Sequence, residues 1–156
     1  MNQPFLRKAK LADLPTLLEF EQGIITTERP MDPSLRPGYI NYYDLKALIL
    51  QDKSEVLVVE QDGQIVGSGY ALIKDAKPYL HHDIYAYLGF MYVLPSHRKQ
   101  GINKMILEGL KNWSKEQGLS EMRLEVYADN PIAIKAYEKA GFSANMVTMR
   151  MDIRTL

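Results

Sequence analysis

The sequence contains no cysteine, which excludes disulfides, thiolate nucleophiles and cysteine-based zinc sites. It also has no excess charge of either sign, since 19 Lys and Arg residues balance 19 Asp and Glu residues. Such a balance argues against a nucleic-acid binder with a dominant basic face. No apolar run approaches the length of a membrane span, and the first ten residues lack an apolar signal core. We therefore expect a cytoplasmic protein with neither a nucleic acid nor a membrane as its partner.

Internal repeats, low-complexity tracts and linkers are also missing, so the sequence contains no domain boundary. A chain of 156 residues is large enough to bury a real core. We expect one domain spanning residues 1–156. Two familiar nucleotide-binding motifs are absent as well. There is no Walker loop, and Gly67 and Gly69 lie in an apolar run with no third glycine.

The stretch from Phe90 to Leu110 is the most informative part of the chain. An apolar strand leads through a short turn into a basic loop and then an amphipathic helix, whose periodicity begins after Gly101. The loop would place backbone N–H groups at the positive end of a helix dipole, an arrangement that binds phosphate. Gly101 permits close approach of a ligand, and positive charge comes from Arg98, Lys99 and Lys104. An ordinary strand–helix turn with a solvated basic tip would explain the same residues.

A second informative stretch runs from Leu124 to Phe142. A predicted strand leads to Asp129. The next helix has Asn130 as its cap and Pro131 in its first turn, and it ends at Gly141. Together with the basic loop, and in this order and spacing, the stretch resembles the GCN5-related N-acetyltransferases (the GNAT superfamily).

The resemblance implies acetyl-CoA as the acetyl donor. Arg98 and Gly101 match the family's acyl-CoA pyrophosphate signature, Arg/Gln-x-x-Gly-x-Gly/Ala, whereas Asn103 stands where the family usually has Gly or Ala. The pyrophosphate would lie on the basic loop, and the peptide-like pantetheine arm would pair with the central strand. The expected cofactor-binding residues are Met91, Tyr92, Val93, Arg98, Lys99, Gln100, Gly101, Ile102, Asn103, Lys104, Asn130 and Tyr137.

The predicted elements follow the order β-α-α-β-β-β-α-β-α-β, a mixed sheet flanked by helices. Helices are predicted at 13–25, 39–51, 102–117 and 131–140, and strands at 5–10, 55–60, 64–74, 84–94, 122–126 and 146–153. Asp13 is the expected cap of the first helix, Asp62 and Gly63 predict a hairpin, and Gly67 and Gly69 indicate a bulge or close backbone approach. The resemblance implies the GNAT fold, an α/β (α+β) class with a mixed, mostly antiparallel central sheet, four flanking helices and splayed, bulged central strands.

The chemistry must proceed without an acyl-cysteine intermediate, so we expect a bound amine to attack the thioester directly. A lysine-type amine, with a pKa of about 10.4, must first lose its proton. Glu125 is the candidate base, at a spacing from Tyr137 similar to that in ribosomal-protein N-terminal acetyltransferases of this family. A solvated glutamate on a polar strand face would explain Glu125 equally. Many family members carry the base on the preceding strand, where Tyr85 and Tyr87 are poor bases.

Tyr137 is the second candidate catalytic residue, because a phenol stays protonated and can donate its proton to the departing CoA thiolate. Packing of Tyr137 against Ala133 and Ala140 on the buried face of its helix is the alternative. A backbone N–H near Met91 would face the thioester oxygen. Asn130 could contact the CoA arm, although its role as a helix cap would already explain it.

The acceptor remains open between a peptide or protein amine and a small-molecule amine. A cluster of aromatic and acidic side chains beside the irregular segment 26–38 would suit a cationic amine, although core packing would also explain it; its members are Tyr39, Tyr42, Tyr43 and Asp44. No metal is expected, because His81, His82 and Asp83 are adjacent residues that point apart. The sequence does not fix the oligomeric state; the resemblance leaves a homodimer open, since family members are often dimers. The alternative functions are a non-catalytic acyl-CoA-binding module and a nucleotide-binding regulatory domain.

Overall fold

The computed structural model describes residues 2–154, which form two compact units that meet in sequence at Glu125 and Val126. The first unit contains β1 (Phe5–Lys8), α1 (Leu14–Glu28), α2 (Leu45–Leu50), β2 (Ser54–Gln61), β3 (Gln64–Asp75), β4 (Ile84–Val93), α3 (Ile102–Glu116) and β5 (Met122–Leu124). The second unit contains α4 (Pro131–Lys139). The predicted class, a mixed α/β fold with four helices, is confirmed.

The sheet has the strand order β1-β2-β3-β4-β5. The first four strands pair antiparallel, and β5 pairs parallel to β4. The hairpin between β2 and β3 turns at Asp62 and Gly63, whose φ angles are 53° and 77°. Two consecutive positive φ values are typical of the tight turn that matches strand twist. The predicted hairpin is therefore confirmed, and it places β3 and β4 in the middle of the sheet.

The two faces of the sheet pack differently. On one face, α1 and α2 bury the main apolar cluster, whose fully or nearly buried members include Leu17, Phe20, Leu45, Leu48, Val56, Val58, Tyr70 and Phe90. On the other face, α3 lies so close to β3 that a Cβ on Gly67 would come within 2.7 Å of Ile102 Cγ2. A Cβ on Gly69 would likewise come within 2.7 Å of Ile106 Cγ2. The close approach predicted for these two glycines is confirmed, and it brings the start of α3 against the centre of the sheet.

Asp13 is not a side-chain cap of α1, contrary to the prediction. Its carboxylate accepts two hydrogen bonds from the Arg7 guanidinium, at 2.8 and 3.0 Å, and one from the Lys10 N–H at 2.8 Å. The bond with Arg7 holds the pKa of the Asp13 carboxyl below its usual value. Bidentate bonding to the Arg7 guanidinium engages both carboxylate oxygens, so Asp13 links β1 to the turn before α1 instead of capping the helix.

Four predicted boundaries were also wrong. α1 ends at Glu28 rather than residue 25, because the first proline of the segment predicted to be irregular, 26–38, is Pro30, which lies beyond the end of the helix. The second helix begins at Leu45 rather than residue 39, because Asp44 accepts the Ala47 N–H at 3.1 Å and so caps the helix there. β1 ends at Lys8 and β5 at Leu124, each two residues earlier than predicted. No strand is present at 146–153 in the described chain. Apolar alternation favours a strand, but a strand forms only when its backbone pairs with a neighbouring one, and in the described residues this segment pairs with none.

Candidate active site

The central strand β4 contains a bulge. Tyr70 of β3 pairs with Gly89 of β4, and Ser68 pairs with Tyr92. Between these two pairs β3 has one residue, Gly69, whereas β4 has two, Phe90 and Met91. The extra residue shifts the alternation of side chains, so Tyr87 and Phe90, three residues apart, both pack against the cluster under α1 and α2. The bulge that the family resemblance implied is therefore confirmed.

The bulge is held in an uncommon backbone conformation. Phe90 has a φ of 59°, which for a bulky residue costs on the order of 1–3 kcal/mol. The Ser68 hydroxyl, fully buried, donates to the Phe90 carbonyl at 3.1 Å. The Phe90 side chain is 1% exposed, and its ring lies 5.5 Å from that of Tyr43. Packing and one buried hydrogen bond thus fix a strained residue in the middle of the sheet.

The pairing between β4 and β5 ends at Leu88, just before the bulge, and we call the space beside β4 beyond this point the gap. β5 pairs with β4 only at Ala86, Tyr87 and Leu88. On the opposite edge of β4, the Leu94 N–H donates to the Val66 carbonyl at 2.9 Å. Since N–H and C=O groups alternate sides along a strand, those of Met91 and Val93 face away from β3. Within the described residues, the Met91 N–H and C=O and the Val93 N–H therefore have no strand partner on the side of the gap, where the Val93 carbonyl accepts a hydrogen bond from Arg98.

The basic loop follows directly and leads into α3. Gly101 has a φ of 82° and precedes the first helical residue, and a Cβ there would meet no atom within 4 Å. Glycine is therefore required for the backbone conformation rather than for space. The N–H groups of Ile102, Asn103 and Lys104 belong to the first turn, where they have no intrahelical partner. The helix has 15 residues, so its N-terminus carries a substantial partial positive charge.

The predicted cofactor-binding residues of the loop and β4 play different structural parts. The Arg98 side chain donates through Nε to the Val93 carbonyl at 3.0 Å, and Gln100 reaches the Ser96 carbonyl at 3.5 Å. Ile102 is 1% exposed. The Tyr92 ring packs on Phe20, with centroids 4.9 Å apart. Only the main chain of Ile102 would therefore be available to a ligand, and the main chain of Tyr92 pairs with Ser68 of β3.

Glu125, the candidate base, is joined to β4. The Tyr87 hydroxyl donates to Glu125 Oε1 at 2.7 Å. Burial, and secondly this hydrogen bond, raises the pKa of the Tyr87 phenol far above its ordinary value. Burial raises the pKa of Tyr70 to about 12, and the negative charge of Glu125 adds to this effect. The Lys74 ammonium lies 4.0 Å above the centre of the Tyr87 ring.

Glu21 is a functional candidate that the sequence reasoning missed. It is fully buried, and its carboxylate accepts the N–H groups of Tyr42 and Tyr43 at 2.7 and 2.8 Å. It also accepts Asn41 Nδ2 at 2.8 Å. The ring of Tyr43 then meets Tyr70 edge to face at 5.5 Å. A glutamate on the apolar stripe of the first predicted helix was the signal that could have identified it.

Asn130 and Tyr137 lie in the second unit. Asn130 Oδ1 accepts the Ala133 N–H at 3.2 Å, and Gly141 follows the helix with a φ of 111°, so the predicted cap and end of α4 are confirmed. The Tyr137 ring lies 5.8 Å from that of Phe142, nearly perpendicular to it. The Tyr137 carbonyl accepts the Phe142 N–H at 3.0 Å. The roles of Asn130 and Tyr137 toward acetyl-CoA stay predictions.

Residues 2–154 contain neither a cluster of metal-ligating side chains nor a helix able to cross a membrane. Within this range, no three His, Asp or Glu side chains are grouped so that they could hold a metal ion. His82 instead lies beside Glu121, with Nε2 3.4 Å from the carboxylate. No helix in the same range combines the length and the apolar character that crossing a membrane requires.

Comparison with known proteins identifies the family. A profile of the acetyltransferase (GNAT) family matches residues 20–142. An aminoglycoside N(6')-acetyltransferase type 1 from Klebsiella aerogenes is 23% identical over 99 residues, which span 64% of this chain and 65% of that enzyme. A predicted acetyltransferase from Clostridium acetobutylicum, solved with acetyl-CoA, has a TM-score of 0.76 at 18% identity, with 99% of both chains covered. A Bacillus halodurans protein solved as a tetramutant has a TM-score of 0.83 at 19% identity, covering 96% of this chain and 99% of its own.

These matches agree with the geometry described above. The solved structures, all below 20% identity, show the same fold. The family profile begins within α1 and ends beyond α4, so it includes the bulged strand, the basic loop and the Tyr137 helix. Because it matches more than half of the sequence, the chain belongs to the acetyltransferase (GNAT) family.

Proposed function

We propose that this N-acetyltransferase moves the acetyl group of acetyl-CoA directly to a primary amine on a cationic acceptor. GNAT acetyltransferases use acetyl-CoA as their acetyl donor. The observation that carries the proposal is the gap beside the bulge of β4. There, the Met91 N–H and C=O and the Val93 N–H face away from β3, the Val93 carbonyl holds the Arg98 side chain, and β4 leads on to the N-terminus of α3, which has no side-chain cap.

The start of α3 supplies the pyrophosphate site. Three main-chain N–H groups without helical partners, together with the helix dipole, favour a dianionic group at this position. Lys99 and Lys104 add positive charge nearby. The Arg98 guanidinium donates through Nε to Val93, so its other nitrogens could still meet a phosphate oxygen. Asn103 stands where the family signature usually has Gly or Ala, and this difference changes only the side chain. The Asn103 N–H still lies in the first turn of the helix.

The edge of β4 supplies the site for the pantetheine arm and the thioester. An amide-bearing chain can add to a free strand edge as another strand would. The Met91 N–H, directed into the gap by the bulge, would donate to the thioester oxygen as negative charge develops there. The strain at Phe90 therefore has a purpose, because it fixes this donor before any ligand arrives.

Glu125 and Tyr137 supply the proton transfers in this proposal. Glu125 accepts a proton from the acceptor ammonium, directly or through water, so that the neutral amine can attack the thioester carbon. The new N–C bond forms as the C–S bond breaks, and Tyr137 donates its proton to the leaving thiolate. The nitrogen loses its second proton as it becomes the amide, and that proton returns the Tyr137 phenolate to its protonated form. Both roles follow from the family resemblance, and for Glu125 the position beside the gap adds support.

A cationic acceptor fits the charges and rings of the first unit. Three tyrosines, Tyr43, Tyr70 and Tyr87, lie on the face of the sheet that carries Glu125 at its edge. Aromatic faces and a carboxylate attract ammonium groups. The Klebsiella relative is named for an aminoglycoside, which also bears amines. We further propose that residues 1–156 act as one domain, since the family match continues across Glu125.

Calorimetric titration with acetyl-CoA, followed by a thiol-release assay against a panel of amines, tests this function. We expect binding, and thiol release that depends on a cationic amine. Tyr137→Phe should bind acetyl-CoA normally but turn over roughly 100-fold more slowly, because it lacks the proton donor. Tyr79→Phe, at a 79% exposed tyrosine, is the matched control and should behave as the wild type. Binding without thiol release for any amine would favour an acyl-CoA-binding module, and unchanged turnover in Tyr137→Phe would remove Tyr137 from the reaction.

A further inference from the structure

We propose that Tyr87 is a positioning residue for acetyl transfer, because its phenol holds the Glu125 carboxylate at the gap between β4 and β5. The inference rests on the proposed function, in which Glu125 accepts the proton of the amine. It adds a residue with which that base must act. The geometry that supports it is a single hydrogen bond of 2.7 Å between side chains 38 positions apart in the sequence.

Glu125 needs such an anchor because of its place in the chain. It follows the last residue of β5, a strand of only three residues, and it is exposed. The last pair between the two strands is Leu124 with Leu88. The residue of β4 that would lie opposite Glu125 is therefore Gly89, which has no side chain to contact. A glutamate at a strand end would otherwise sample several rotamers, and each ordered side chain of this type loses conformational entropy. The Tyr87 hydroxyl selects the rotamer that faces the gap.

Tyr87 is suited to this task because its own ring is fixed. It lies in β4, half-buried against the cluster under α1 and α2. Burial, and secondly the bond to Glu125, raises the pKa of its phenol well beyond the neutral range. The hydroxyl therefore remains a donor at every pH at which the enzyme would work. A group that keeps its proton so firmly is a poor base, so positioning rather than proton transfer is the role it can fill.

The other charged and titratable groups around this pair are few. From β3, Tyr70 faces Glu125, and the Lys74 ammonium lies over the ring of Tyr87. From the segment before α2, Tyr43 faces Tyr87. Burial keeps both neighbouring phenols protonated, since it raises the pKa of Tyr70 to about 12 and that of Tyr43 still further. Lys74 is the cation of this group, and it would make the phenol beneath it a stronger donor.

Tyr87→Phe in the full-length enzyme tests the inference, with Tyr85→Phe as the matched control. Tyr85 lies two residues earlier in β4, and its ring contacts the guanidinium of Arg123 rather than Glu125. We expect kcat/KM of Tyr87→Phe for the amine to fall about tenfold, with an unchanged KM for acetyl-CoA. A hydrogen bond to the charged form of an acid favours that form. The acidic limb of the pH–rate profile should therefore differ from that of the wild type in Tyr87→Phe and stay in place in Tyr85→Phe.

A double-mutant cycle separates positioning from a general structural role. In a Glu125→Gln background, Tyr87→Phe should have little further effect on kcat, because the group it positions is already lost. Additive losses, or a lower kcat with an unmoved pH profile, would overturn the inference. Carbon-13 NMR titration of the Glu125 carboxyl in the wild type and in Tyr87→Phe reports the hydrogen bond without any turnover. Identical titrations would overturn the inference, whereas a wild type that acetylates no amine would overturn the proposed function itself.

Discussion

Replacing Ser68 by alanine should weaken acetyl-CoA binding although Ser68 is buried and contacts no ligand. Its hydroxyl donates to the carbonyl of Phe90, the residue whose positive φ forms the bulge of β4. Alanine removes the donor and changes little else in volume. The Phe90 carbonyl then loses its buried partner, and the strained backbone loses one of the contacts that hold it in place.

Two magnitudes follow from this geometry. Leaving a buried carbonyl without a partner costs about 2 kcal/mol of folding free energy. For a chain of this size, that loss lowers Tm by roughly 4–8 °C. If the bulge relaxes, the Met91 N–H and its neighbours no longer line the gap in a fixed geometry. Losing the benefit of one such hydrogen bond, about 1 kcal/mol, weakens acetyl-CoA binding roughly fivefold.

Ser54→Ala provides the control that makes the experiment decisive. Ser54 is 3% exposed, and its hydroxyl donates to the Leu48 carbonyl at 2.7 Å, between α2 and β2. We expect both alanine variants to lose similar thermal stability in a melting experiment. Only Ser68→Ala should show a higher Kd for acetyl-CoA by calorimetry. Equal affinities in the two variants would refute the idea that the bulge is held open by Ser68.

Three further predictions concern other parts of the first unit. Gly101→Ala should lose about 1 kcal/mol of folding stability, because alanine is strained at a positive φ, and it should also bind acetyl-CoA more weakly. Gly118, beyond the other end of α3, has a similar φ of 78°, so Gly118→Ala should lose stability but bind acetyl-CoA normally. Glu21→Ala should lower the free energy of unfolding by about 3 kcal/mol and raise KM for the amine, because the N–H groups of Tyr42 and Tyr43 lose their acceptor. Glu19→Ala, at an exposed site of the same helix, should change neither quantity. The high pKa of Tyr70 means that the folded state binds the phenol proton more tightly than the unfolded state. Its contribution to stability is therefore complete below pH 10 and is lost between about pH 10 and 12, a decline that Tyr70→Phe should reduce in denaturant titrations at alkaline pH.

The elements that could be predicted from the sequence are those that local patterns determine. The Asp62–Gly63 turn and the glycine before α3 each need a backbone conformation that few other residues adopt, so their identity reveals their geometry. The cap at Asn130 is also a local interaction, between residues three positions apart. Such features leave a signature within a few residues of themselves.

The features that were missed depend on partners distant in sequence. The Asp13 carboxylate binds the Arg7 guanidinium instead of capping α1. No sequence pattern near Asp13 indicates that Arg7 would compete with the helix N–H groups for this carboxylate. The link between Tyr87 and Glu125 requires β4 and β5 to be placed side by side first. The strand predicted at 146–153 is absent from the described residues for a related reason. Alternating apolar residues show which side chains could share one face of a strand, but they do not show that another strand pairs with it. Side-chain contacts across the sheet are thus what the sequence leaves undetermined.

The buried carboxylate of Glu21 has a consequence for how this enzyme could diversify. It holds the segment before α2 through main-chain N–H groups, which every residue except proline possesses. The side chains displayed by that segment can therefore be exchanged while the path of the backbone stays the same. A library randomised at Tyr39, which is 73% exposed, with Glu21 retained, would be a rational starting point for new amine specificities.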